Sequence, residues 1–274
     1  MNTVRVMSKN AAYQKFEVLR TNRNKRYRYG EFLVEGVRNI NQAIRNGWQF
    51  TSLLYSPETP LSRWAQEVLD TVSCDTHYQL SANLMQELSG KTDTSELLAN
   101  LRMRPDDPAL LHDSPCPLYI LFDRPSNHGN LGSIIRSADA LGADGLILTG
   151  HGVDLYQPEV VTASMGSFFN LPAIRMADND TVFDWIARQR DLHPGFQVIG
   201  TTAHKQLNIT QVDFRLPTLL MIGNETEGLC RAFKEGCDLL ATIPMADTSS
   251  ASSFNVACAA TVMMYEVCRQ RAQD

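Results

Sequence analysis

A chain of 274 residues, 43% hydrophobic and 20% charged, has the composition of an ordinary soluble globular protein of one or two domains. It contains no run of about 18 apolar residues, which argues against a membrane-spanning helix. Residues 1–10 lack the apolar centre of a secretory signal, so a cytoplasmic location is expected. The net charge of −5 conceals an asymmetry. Residues 1–50 hold ten Lys or Arg against three Glu, a local charge of +7. The basic residues cluster in Arg20-Thr21-Asn22-Arg23-Asn24-Lys25-Arg26-Tyr27-Arg28-Tyr29. Such cations can neutralise phosphates and the interleaved tyrosines can stack on bases, so Arg20, Arg23, Lys25, Arg26 and Arg28 are candidate RNA contacts. A solvated basic surface is the competing reading.

The six cysteines, Cys74, Cys116, Cys230, Cys237, Cys258 and Cys268, form no C-x-x-C pair. No metal-ligand spacing is present, and free thiols are expected. Cys258 and Cys268 lie in an apolar helical stretch and are expected in a core or an interface.

In chain order, residues 10–29 read as one helix. Phe32–Val34 reads as a strand, 37–46 as a helix ending at Gly47, Leu53–Tyr55 as a strand, and 60–72 as an amphipathic helix. His77–Leu80 is strand-like, Ser81 caps a helix through Leu88, and 97–101 closes the unit. This alternation predicts a small α/β domain over 1–105. Residues 106–117, rich in Pro and Asp, read as a linker.

The second domain, 118–274, opens on Leu118-Tyr119-Ile120-Leu121-Phe122, an apolar run of the buried parallel type. A helix to about Leu141 follows, then a strand over 145–148. Short and longer helices are expected over 158–165 and 181–190, the latter capped by Thr181. Strands are expected over 196–200, 218–222 and 239–243, and a final helix over 253–271. The alternation predicts a mostly parallel sheet covered on both faces.

Three polar loops follow apolar strands: Asn127–Arg136, Ile222–Leu229, and Ile243-Pro244-Met245 with Ser253-Phe254-Asn255-Val256-Ala257. Ligands bind where such loops converge at strand ends. Neither G-x-G-x-x-G nor G-x-x-x-x-G-K-S/T occurs, which removes the fingerprints of a nicotinamide oxidoreductase and of a P-loop enzyme. Taken singly, Asn130 reads equally as a helix cap, Gly132 as a packing glycine, and Glu225 or Glu227 as first-turn acids of a following helix. Arg136 lies just after the largely apolar Leu131–Ile135 and either snorkels to solvent or faces an anion.

Together and in this order the three loops resemble the SpoU family of RNA ribose methyltransferases, within the wider SPOUT superfamily. Asn130, Gly132 and Arg136 match N-x-G-x-x-x-R. Gly223, Asn224, Glu225, Gly228 and Leu229 match G-N-E-x-x-G-L. The third loop matches I-P-M and then S-L-N-V, with Phe254 in place of the usual Leu. The opening Ser8-Lys9-Asn10, the basic helix and Phe32-Leu33-Val34-Glu35-Gly36 look like the substrate-binding domain of many members.

The resemblance implies a C-terminal parallel sheet with a deep trefoil knot and a small α/β RNA-binding domain before it. It implies S-adenosylmethionine as cofactor and transfer of its methyl to a ribose 2′-hydroxyl of RNA, with rRNA favoured over tRNA. It implies a homodimer through the C-terminal domain, without membrane or metal. Asn130, Arg136, Glu225, Ser253 and Asn255 would be catalytic. Thr201, Gly223, Asn224, Gly228, Ile243, Met245 and Phe254 would hold the cofactor. For Arg136 two roles stay open: activating the hydroxyl or binding the neighbouring phosphate. The alternative is a non-catalytic RNA-binding protein that retains the fold.

Overall fold

The computed structural model describes residues 2–91, 93–203 and 207–272. The chain divides into two compact units, residues 1–104 with 154–170, and residues 105–153 with 171–274.

The first unit comprises β1 (Asn2–Val6), α1 (Ala11–Thr21), α2 (Arg23–Tyr29), β2 (Glu31–Glu35), α3 (Val37–Arg45), β3 (Phe50–Tyr55), α4 (Arg63–Thr71), β4 (Thr76–Leu80), α5 (Ala82–Ser89) and β5 (Leu97–Arg102). The strand order is β1-β4-β3-β5-β2. β1, β4 and β3 run parallel, while β5 is antiparallel to both β3 and β2. The single helix expected over 10–29 is two. Asn22 closes α1 and opens α2, where its side chain accepts from Lys25 N. An Asn side chain that bonds local backbone competes with helix continuation, which explains the break. Tyr13, Phe16 and Leu19, at helical spacing along α1, are buried; Tyr13 and Phe16 pack with Leu33, Leu54 and Leu98 among others.

The second unit starts at the expected linker, which is part of it. A 3₁₀ turn, Pro108–Leu110, precedes Leu111, which is buried in the core, and His112 N donates to Asp144 O. Then come β6 (Leu118–Asp123), α6 (His128–Ala140) and β7 (Gly145–Thr149). The next helix, α7 (Pro158–Ala163), belongs to the first unit, so the domain expected over 118–274 is interrupted. The chain continues with β8 (Ala173–Met176), α8 (Asn179–Leu192), β9 (Gln197–Thr201), β10 (Leu207–Asn208), β11 (Thr218–Ile222), α9 (Arg231–Gly236), β12 (Leu239–Thr242) and α10 (Val256–Arg271). Asp178, rather than Thr181, caps α8: its carboxylate accepts from Thr181 N.

The seven strands are ordered β10-β12-β9-β11-β6-β7-β8, and every pairing among them is parallel. Tyr119, Leu121, Leu219 and Met221 share a core with Trp185 and Ile186 of α8 and Phe233 of α9. The alternate residues Ile120, Phe122, Leu220 and Ile222 are also buried, so both faces of the sheet are covered. α6 and α10 pack against each other, with Ser137 and Thr261 hydroxyls 2.7 Å apart. Arg271 fastens the end of α10 by donating to the carbonyls of Cys116, Pro117, Phe214 and Leu216. From β6 the chain builds outward through β7 and β8, and β9, β10, β11 and β12 then fill the other side. β6 and β11 therefore flank the point where strand order reverses, the usual place for a ligand in such sheets.

Candidate active site

Strand register brings the candidate loops to one edge. Phe122 pairs with Ile222, Gly200 with Met221, and Ala241 with Thr201. The loops leaving β6, β11 and β12 therefore start from the same end of the sheet, with β9 between β12 and β11.

Asn127, not Asn130, is the N-cap of α6: its side chain accepts from Asn130 N at 2.9 Å. This releases the Asn130 amide for tertiary contacts. Asn130 Nδ2 donates to Glu225 Oε1 at 3.3 Å, and Asn130 Oδ1 accepts from Asn255 Nδ2 at 3.2 Å. Asn255 in turn caps α10, accepting from Ala257 N and Cys258 N. One amide thus joins the three loops.

Glu225 is not in a helix; the next helix begins at Arg231. Its carboxylate accepts from Ser126 N (3.0 Å), Ser126 Oγ (2.6 Å), Asn127 N (3.1 Å) and Asn130 Nδ2. Burial alone raises the pKa of this carboxyl, but the hydrogen bonds from Ser126 and Asn130 outweigh it, and the net displacement is downward. An ionised carboxylate with four donors is a positioning anchor at the start of α6, where the helix dipole also favours it.

Asn224 and Gly228 form a bridge by exchanging backbone hydrogen bonds of 3.1 and 3.0 Å. Gly228 has φ +69°, and a Cβ on Gly223 would lie 2.3 Å from Gly228 C and Leu229 N. Both glycines are required by this tight turn. Asn224 Nδ2 donates to Arg124 O at 2.7 Å.

Arg136 lies on the exposed stripe of α6 with Gly129 and Ser133. Among the described residues neither the Arg136 nor the Ser253 side chain has a hydrogen-bond or ion-pair partner within the chain, so the interlock of Asn130, Glu225 and Asn255 does not include them. Thr201 is half-buried at the end of β9. Ile243 and Met245 are half-buried after β12, and Phe254 is 44% exposed. These residues follow the ends of β9 and β12, on the same side of β11 in the sheet order.

The basic segment needs correction. Arg26 is fully buried and ion-paired with Asp154 at 2.6 Å, and it donates to Leu19 O, Arg20 O and Gln157 Oε1. Arg20 donates to Glu87 O and Leu88 O at the end of α5. Both cations are committed to folding the first unit. Arg28 is exposed, and Arg23 and Lys25 are half-exposed. Tyr27 and Tyr29 are also exposed, the former with Arg23 over its ring.

The sequence reading missed Asp123, Arg124, Ser126 and Asn127. An acid ending an apolar strand, and an Asn three residues before Asn130, were the available signals. All six cysteines are free; Cys258 and Cys268 are exposed, which excludes the core placement for them. Burial pushes the Cys237 thiol up to about 12, leaving it a poor nucleophile.

Residues 117–265 match the model of the SpoU rRNA Methylase family, and residues 10–99 match the SpoU L30e-like domain. A 23S rRNA (uridine(2479)-2′-O)-methyltransferase of Streptomyces viridochromogenes is 46% identical over 97% of this chain and 92% of its own length. The crystal structure of the SpoU methyltransferase AviRb from the same organism, in complex with AdoMet, superposes with a TM-score of 0.90 at 46% identity, covering 96% of this chain and 98% of that one. An AdoMet-bound rRNA methyltransferase from Sinorhizobium meliloti gives a TM-score of 0.84 at 28% identity, over 97% and 98% of the two chains. With its three loops joined through Asn130 and its sheet, N-terminal unit and length shared with these proteins, the chain belongs to the SpoU rRNA methylase family.

Proposed function

We propose that this protein is an S-adenosylmethionine-dependent RNA methyltransferase that modifies a ribose 2′-hydroxyl of 23S rRNA. The observation that carries the catalytic reading is Asn130, whose amide ties Glu225 to Asn255 at the switch point of the sheet. The 46% identity with a 23S rRNA enzyme over nearly the whole chain favours rRNA over tRNA.

Bound near Gly223, Ile243, Met245 and Phe254, S-adenosylmethionine supplies an electrophilic methyl on a sulfonium. The chain's part is to hold a ribose hydroxyl in line and dispose of its proton. Arg136 stands in solvent without an acidic partner among the described residues. Guanidinium stays protonated in proteins, so Arg136 serves as a phosphate clamp and electrostatic activator rather than as the base. The hydroxyl oxygen becomes strongly acidic as its bond to the methyl forms, and its proton passes to water, to which the exposed face of α6 at Arg136 is open. Asn130 and Asn255 fix the loops around this point, and Ser253 presents a further hydroxyl at the rim. The deep knot that the family resemblance implies would lie among the loops leaving β6, β11 and β12, and is part of this proposal.

Arg23, Lys25 and Arg28 contact RNA phosphates, and Tyr27 and Tyr29 meet unpaired bases. α10 presents Cys258, Val262 and Tyr265 on one exposed stripe; this apolar stripe is the homodimer contact. A cytoplasmic location follows from the rRNA substrate.

The deciding experiment is transfer of labelled methyl to unmodified ribosomal RNA and to assembled large subunits, followed by nucleoside analysis. A 2′-O-methylated nucleoside in either substrate is the expected result. Cofactor binding without label in either substrate would leave a fold retained for RNA binding alone.

A further inference from the structure

Arg124, directly after β6, belongs to none of the three loop motifs. It has φ 51°, the left-handed region that non-glycine residues rarely adopt. A residue held there needs surroundings that over-determine it. Five polar contacts and a backbone bond do so here. Arg124 Nε lies 3.2 Å from both Asp123 oxygens, and Nη2 lies 3.1 Å from Asp123 Oδ2. Nη2 also donates to Gly228 O at 3.0 Å, and Nη1 pairs with Glu227. The carbonyl of Arg124 accepts from Asn224 Nδ2. Asp123 is buried and accepts from Cys230 N at 2.8 Å and Thr149 Oγ1 at 3.0 Å.

Asp123 and Arg124 therefore hold the turn 224–228 at both ends: Asn224 on one side, and Glu227, Gly228 and Cys230 on the other. That turn carries Glu225, whose carboxylate reaches back to Ser126, Asn127 and Asn130. A fork-shaped cation suits this task, because one side chain reaches two carboxylates and a carbonyl at once. With both carboxylates on it, the guanidinium is neutralised and is not a second phosphate clamp beside Arg136.

We infer that Arg124 is a positioning residue for methyl transfer: it locks the 224–228 turn so that Glu225 holds Asn130 at the start of α6. This rests on the methyltransferase reading above. It acts through Glu225, so removing both should cost no more than removing Glu225 alone.

The test is a double-substitution cycle in the full chain with Arg124→Ala, Glu225→Gln and both together. Steady-state methyl transfer and cofactor affinity are read alongside the amide NMR signals of Ser126 and Asn127. Arg124→Ala should lower kcat on the order of 10- to 100-fold, with a smaller change in the KM for RNA. It should move the Ser126 and Asn127 amide signals in the same direction as Glu225→Gln. The double variant should be no slower than Glu225→Gln. Arg124→Lys, which keeps the charge but not the fork, should fold and show an intermediate kcat; it decides the matter if Arg124→Ala does not fold. Multiplicative losses in the cycle, or unmoved Ser126 and Asn127 amides in a folded Arg124 variant, would overturn the inference. A wild-type protein that transfers no methyl overturns the functional reading instead, while the amide signals still report on the Arg124–Glu225 linkage.

Discussion

Arg26 Nη2 lies 2.6 Å from Asp154 Oδ2, and the two side chains are only 0% and 3% exposed. A buried pair of this kind is weak proof of net stabilisation, because desolvation opposes the attraction, but breaking it is severe. Arg26→Ala leaves the buried Asp154 without its cation and also orphans Leu19 O and Arg20 O. The expected cost is about 3–5 kcal/mol, read as a shifted urea midpoint. Arg28→Ala, on the exposed side of the same helix, should stay within about 0.5 kcal/mol of the wild type. Equal effects from the two would contradict the buried assignment of Arg26.

The half-exposed Lys25 and the exposed Arg28 of α2 should behave in the opposite way. Lys25→Ala and Arg28→Ala should leave the melting temperature unchanged and weaken RNA binding. Removing one cation that neutralises a phosphate should reduce the slope of log K against log salt by about 0.7 to 1. Binding titrations at several salt concentrations check this. An unchanged slope in both variants would show that the basic face of α2 is only a solvated surface.

Glu225 gives a prediction in pH. Its folded-state pKa lies below the ordinary 4.5, against the upward pull of its own burial, because Ser126 and Asn130 bond the ionised form. A carboxyl depressed on folding stabilises the fold fully above its unfolded value and loses that contribution as pH falls through the folded one. The melting-temperature advantage of wild type over Glu225→Gln should therefore be constant above about pH 4.5 and shrink below it. An advantage that grows on acidification would mean the carboxyl is bonded in its protonated form.

Arg136 should separate binding from chemistry. Arg136→Ala removes the phosphate clamp and electrostatic activation proposed for the ribose, and a loss of kcat on the order of 10² to 10³ is expected for such a group. The cofactor site proposed at Gly223, Ile243 and Met245 is built from other loops, so cofactor affinity should hold within about threefold. Calorimetric titration and single-turnover methyl transfer report the two quantities. Reduced cofactor affinity with normal turnover would place Arg136 in the wrong role.

The contrast between Arg26 and Arg136 also marks where sequence reasoning stops. β6, β7 and β11 were legible because strands buried on both faces must be largely apolar, as residues 118–122 and 219–222 are. β1 (Asn2–Val6), with its exposed residues and an Arg, carries no such signal. β8 and β10, of four and two residues, are too short for periodicity to register. The three site loops were legible as motifs, but the bonds joining them were not. Glu225 reaches Asn130 across 95 positions, and Arg26 reaches Asp154 across 128. Local composition specified a cation at 26; only the fold specified that this cation is buried, while Arg28 two residues on is not.

The exposed stripe of α10 gives the last prediction. Val262 is 41% and Tyr265 58% exposed in the single chain, on the same face as Cys258. The two-fold contact proposed above would place this face against its own copy, so that one substitution introduces two like charges into the interface. Tyr265→Asp should therefore produce monomers in sedimentation or light scattering at concentrations where the wild type is dimeric. Tyr265→Phe keeps the apolar area and should remain dimeric, so the pair separates burial from any role of the hydroxyl. The opposite face of the helix holds the buried Met263, Met264 and Val267, so the Asp variant should still fold. A wild type that sediments as a monomer throughout the micromolar range would remove the stripe as a dimer contact.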